Sequence, residues 1–114
     1  MAENANPLGV VGGPTQEQIN EWKAKLGDIF VAKFSDEEKY IYRPMKRFEY
    51  KQILSLGAQE NKSFAEEKII QMCTLWPVID PSKLAFLKAG TVSTLVELIM
   101  VASNFGIAED PIKL

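Results

Sequence analysis

Five residues cut this chain into pieces that leave few choices of fold: Gly27, Pro44, Gly57, Pro77 and Gly106. Glycine supplies the left-handed backbone that closes a helix, and proline removes an amide that a helix or central strand needs. The segments between them can therefore be read one at a time, and each keeps its own hydrophobic period.

Before Gly27, Thr15-Gln-Glu-Gln18 fits a capping box. Ile19, Trp22 and Leu26 then follow at i, i+3 and i+7, which predicts a helix over about 15–26. Between Gly27 and Pro44 the period changes to two. Residues 28–34 are β-branched and aromatic, with Phe30, Ala32 and Phe34 on one face. Ser35-Asp36-Glu37-Glu38 is a polar turn, and residues 39–43 form a second strand with Tyr40 and Tyr42 on one side. This pattern predicts a β-hairpin over about 28–43. Pro44 then suits the first turn of a helix over about 45–56, with Met45, Phe48, Ile53 and Leu56 inward.

Residues 58–62 read as a polar loop. Ser63-Phe-Ala-Glu66 is a second capping box, and Ile69, Met72, Cys73 and Trp76 continue a helical stripe that Pro77 stops. Residues 80–88 suit a short helix opened by Pro81, with Leu84 and Leu87 inside. The last helix spans about 91–105. Eight of the eleven residues from Val92 to Ala102 are apolar, and Met100 falls on the line of Ser93, Glu97 and Asn104. A helix without a clean polar face is buried or lies in an interface.

The expected fold class is α+β: a mostly helical single domain over 15–114, with one β-hairpin packed on four to five helices. A chain of 114 residues, 46% apolar and 25% charged, has the size and composition of one globular domain. Residues 1–14 hold three of the seven glycines and two of the six prolines and read as an N-terminal arm. Two readings stand for it: a flexible tail, or an arm that docks on a neighbouring subunit. Its opening has neither a basic region nor an apolar core of signal-peptide type, so no secretory leader is expected, and no apolar run reaches the ~20 residues of a membrane span.

Chemistry leaves little to build on. The chain has no histidine, the commonest general base and metal ligand, and a single cysteine. Cys73 lies on an apolar stripe and lacks a histidine partner, so core packing is its expected role. Gly12-Gly13 is followed by Pro14 and not by the Lys-Ser/Thr of a phosphate loop. Glu66-Glu67 sits in the first turn of a helix, where carboxylates favour the helix dipole. Asp36-Glu37-Glu38 is a hairpin tip, and Trp22 and Trp76 hold stripe positions. No catalytic residue, metal site or cofactor is expected.

The run KYIYRPMKRFEYKQI, residues 39–53, mixes basic and aromatic side chains as a nucleic-acid surface would. Its aromatics are better placed inward, which leaves Arg43, Lys46, Arg47 and Lys51 as a basic surface patch with Glu49 among them. The net charge of −2 argues against a grip on phosphate backbones.

The order of elements carries a resemblance. Thr15, Glu17, Ile19, Trp22-Lys23-Ala24-Lys25 and Gly27 precede a hairpin ending Tyr42-Arg43-Pro44, then a helix with Glu49-Tyr50. Glu66-Glu67-Lys68-Ile69, Cys73 and Trp76-Pro77 follow, and then an apolar helix. Over about residues 15–105 this resembles the small tail assembly chaperones of tailed bacteriophages. Met45 stands where that group often has a Ser, Thr or Asp cap, which leaves the second helix without a side-chain cap. The resemblance implies a non-enzymatic protein that coats the tape-measure protein during tail assembly, often as a homo-oligomer, in the cytoplasm of the infected bacterial host. A client helix needs an apolar groove, and Leu95, Leu98, Ile99, Met100 and Val101 of the last helix are the candidate partner-binding residues. The same helix also suits the centre of a bundle, and both roles hold if Met100 and its neighbours lie at an edge. The alternatives are a structural virion component (neck, connector or tail subunit), located in the virion, and a nucleic-acid-binding accessory protein using the basic patch.

Overall fold

The computed structural model describes residues 7–57 and 61–114. The described residues form five helices and a three-stranded antiparallel sheet, a small α+β domain. Helix α1 is Gln16–Leu26, β1 is Phe30–Lys33, β2 is Lys39–Tyr42 and α2 is Arg47–Ser55. Helix α3 is Lys62–Cys73, β3 is Thr74–Trp76, α4 is Pro81–Leu84 and α5 is Ala89–Ala102.

The hairpin forms where expected, with Phe30 opposite Tyr42 and Ala32 opposite Tyr40. Side chains alternate across a strand, so Phe30, Ala32, Tyr40 and Tyr42 share one face. Phe30 stacks on Tyr42 at 5.5 Å, and Tyr40 meets the edge of Phe34 at 5.6 Å. Ala32, Tyr40 and Tyr42 join one core with Ile53 of α2, Ile69, Ile70 and Cys73 of α3, and Leu95 and Ile99 of α5. Ile41 points to the opposite face and is also fully buried, so β2 is covered on both sides. The segment before α1 lies on that second side: the Lys39 ammonium donates to the carbonyl of Leu8, and Pro14 is buried. Residues 7–14 of the expected arm are thus laid along the domain, and residues 1–6 of it fall outside the described residues.

The third strand corrects the sequence reading. The helical stripe was expected to run through Trp76, but α3 ends at Cys73 and the chain straightens. Thr74 pairs with Tyr42 and Trp76 with Ile41. Pairing with the free edge of β2 satisfies backbone groups that another helical turn would leave facing the sheet. The start of α3 differs too. Asn61 is the N-cap, accepting from the Phe64 amide at 3.0 Å, so the helix opens before the Ser63 box. Part of the polar loop expected over 58–62 lies outside the described residues.

Helix α2 begins at Arg47 and not at Met45. Met45 is still buried, but as an extended residue whose amide donates to Ser103 Oγ at 2.7 Å. With Met45 outside the helix, the inward stripe of α2 differs from the expected one. Ile53 is buried as expected, but Phe48 and Leu56, expected inside with it, are 59% and 62% exposed, and Tyr50 and Leu54 face the domain beside Ile53. Helix α1 ends at Gly27, whose φ of 82° is left-handed and whose amide caps the Lys23 carbonyl. None of its residues is buried; Ile19 and Trp22 are half-buried and Leu26 is exposed. Asp80 caps α4, and Leu84 is buried as expected while Leu87 is half-buried.

A candidate docking groove

Helices α2, α3 and α5 meet around an open groove of about 270 Å³. Its floor is Ile53 and Ile69, both buried. Tyr50 and Leu54 of α2 make one wall, Ala65 of α3 another, and Val96 and Met100 of α5 the third. Lys62 and Glu66 stand on the α3 side. A smaller depression of about 120 Å³ adjoins it through the shared ring of Tyr50, lined also by Met45, Lys46, Arg47, Ser103 and Phe105.

The end of the groove at Tyr50 is fixed by contacts between α2 and the end of α5. Tyr50 meets the edge of Phe105 at 5.0 Å. Ser103 Oγ accepts from the Met45 amide and donates to the Ile99 carbonyl, both at 2.7 Å. The chain around Met45 is thereby tied to the last turn of α5. The packing of α5 on α3 holds the opposite wall.

A bidentate pair braces the start of α2. Arg43 donates to Glu49 through Nη1 at 2.9 Å and Nη2 at 2.7 Å. The same guanidinium reaches the carbonyls of Pro44 and Met72, both at 3.1 Å. Glu49 Oε1 also accepts from the Lys46 amide at 2.9 Å. Lys46 is the N-cap residue, so the third helical residue caps the helix in place of a Ser, Thr or Asp hydroxyl or carboxylate at its start. The Arg43 guanidinium holds the Glu49 carboxylate below its ordinary range, and the bond to Glu49 raises Arg43 in turn. Burial pushes the Cys73 thiol up to about 11, which keeps it protonated and without nucleophilic character at neutral pH. Tyr40 is raised further by burial and by its hydroxyl bond to Glu38 at 2.7 Å.

The five candidate partner residues divide. Leu95 and Ile99 are fully buried in the core and offer a partner nothing. Leu98 is half-buried, and Val101 is 46% exposed in line with Ser93 and Glu97. Met100 alone of the five lines the groove. The basic patch divides likewise. Lys46, Arg47 and Lys51 are exposed, but Arg43 is removed from it, only 15% exposed and engaged by Glu49 at 12%. Sequence reading missed Tyr50, Leu54, Ala65 and Val96 as site residues. Tyr50, Ile53 and Leu54 do form an i, i+3, i+4 stripe, which a helix start at Met45 hides in favour of Phe48.

Among the described residues no group of three or more His, Cys, Asp or Glu could hold a metal ion, and no helix is long and apolar enough to cross a membrane. Comparison with known proteins finds no matching family model, curated protein or solved structure.

Proposed function

We propose that this protein is a phage tail assembly chaperone, which holds an apolar helical stretch of the tape-measure protein in the groove between α2, α3 and α5. The observation that carries the reading is the groove itself. It is apolar on its floor and on three walls, and Met100 is in reach of an occupant. A thioether on an unbranched side chain adapts to varied apolar partners, as a client of changing sequence requires. The element order that resembles tail assembly chaperones supplies the client. The work asked of the chain is non-covalent: covering client side chains until the tail tube replaces it.

The test is co-expression with a tape-measure protein of a tailed bacteriophage. The client is expected in the soluble fraction with the chain and in aggregates without it. Met100→Glu, which puts a charge into the groove wall, should abolish the rescue while the variant keeps the wild-type circular dichroism spectrum. A client equally soluble with and without the chain would sink the reading.

A further inference from the structure

One end of the groove carries a charge that the chain as a whole does not. Among the described residues the groove itself is balanced, Lys62 against Glu66, and the depression that adjoins it at Tyr50 adds Lys46 and Arg47 with no lining carboxylate. The whole chain has a net charge of −2, so this excess is local. Glu49 does not cancel it, because both of its oxygens are committed to Arg43 and to the Lys46 amide. The ion pairs among the described residues are Lys33–Asp36 and Arg43–Glu49, and neither uses a rim cation. Arg47 is held at the mouth by the Tyr50 ring, 5.8 Å from its guanidinium carbon.

We infer that the segment docking in this groove is an amphipathic helix whose apolar stripe is flanked by acidic residues. Helical form follows from the walls. They are helices with their backbone groups already bonded, so an occupant finds no strand edge to pair with and must satisfy its own amides. Acidic flanks follow from that end: apolar side chains enter over Ile53 and Ile69 while carboxylates come level with Lys46 and Arg47. Rim charges of this kind select partners and speed encounter more than they add affinity. The inference rests on the groove being the docking surface and adds the charge of what docks.

Three helical peptides of about 20 residues, sharing one apolar stripe and carrying Glu, Gln or Lys at the flanking positions, separate the possibilities when titrated onto the full chain by fluorescence anisotropy. At about 50 mM salt the Glu peptide should bind roughly tenfold more tightly than the Lys peptide, and the gap should narrow at about 500 mM. The double variant K46E/R47E, altered only at exposed side chains, should invert the order. Equal binding of all three overturns the charge selection and leaves the groove reading standing. Binding of none overturns both. A second copy of the chain is the rival occupant, since Ile112 and Leu114 with Glu109 and Asp110 are exposed and share the required chemistry. A dimer in sedimentation that loses its affinity on removal of 107–114, and that the Glu peptide does not dissociate, overturns the inference in favour of that rival.

Discussion

At the scale of single residues, the Arg43–Glu49 pair contributes most beyond simple burial, because it serves three elements at once. It joins the end of β2, the first turn of α2 and the Met72 carbonyl in α3. Truncating one partner leaves the other charge largely desolvated, which costs more than a surface ion pair is worth. Glu49→Gln keeps the shape and removes the charge, and is expected to cost about 2 kcal/mol at neutral pH in urea unfolding. The pH dependence follows from the direction of the shift. The folded state holds Glu49 below its ordinary value of 4.5, so the unfolded chain binds its proton first as pH falls. The stabilisation is complete above that value and is lost as pH drops through the lower, folded one. The gap between wild type and Glu49→Gln should therefore be constant near neutrality and close below about pH 4. A gap unchanged down to about pH 3 would show that the carboxylate is not held as described. None of this pairing was legible locally. Arg43 and Glu49 lie among other charges in the sequence, and their bond exists only because α2 begins at Arg47 and puts Glu49 in its first turn. The burial of Cys73 was legible, since its stripe is local.

At the scale of elements, signals confined to a few neighbouring residues survived and those decided by distant ones did not. The hairpin, the stop at Gly27 and the proline break after β2 are set by local backbone chemistry. The α3–β3 junction is not. Ile69, Met72, Cys73 and Trp76 keep a helical period, but the edge of β2 takes Thr74 and Trp76 into the sheet. Sheet edges are invisible in the sequence of the segment that completes them. The start of α3 illustrates a closer contest. Ser63 fits a capping box, yet Asn61 reaches the Phe64 amide and the helix opens two residues earlier. Asn61→Ala should then cost about 1 kcal/mol, while Ser63→Ala should stay within about 0.5 kcal/mol. Thermal unfolding of the two single variants checks this, and a larger loss for Ser63→Ala would restore the sequence-based boundary. One helical face also departs from its expectation: Met45 is extended and lies outside α2, and the inward stripe runs through Tyr50, Ile53 and Leu54, which leaves Phe48 out.

At the scale of the whole molecule, burial is uneven, and that unevenness separates what holds the fold from what can meet a partner. The fully buried side chains of Ile41, Ile53, Ile70, Cys73, Leu95 and Ile99 come from β2, α2, α3 and α5. The fold class was legible because each of these elements announces its own period. The groove was not, because its walls come from residues far apart in the chain, 50–54, 62–69 and 96–100, and their meeting depends on how three helices pack. The same map predicts an order of opening. Amides of β2, α3 and α5 should exchange slowest, since freeing them requires exposing the common core. Amides of α1 should exchange faster, because Thr15 and Gly27 cap its ends but no residue of it is buried. An isolated helix of 11 residues is marginal in water, and only packing could protect it further. Hydrogen exchange read by mass spectrometry at neutral pH should place α1 and residues 107–114 in the fast class and α3 and α5 in the slow one. Protection of α1 equal to that of α5 would mean that its half-buried stripe of Ile19 and Trp22 is covered in solution by another copy of the chain. Diluting the sample should then release α1 and leave α3 and α5 protected, because association depends on concentration and the core of a single copy does not.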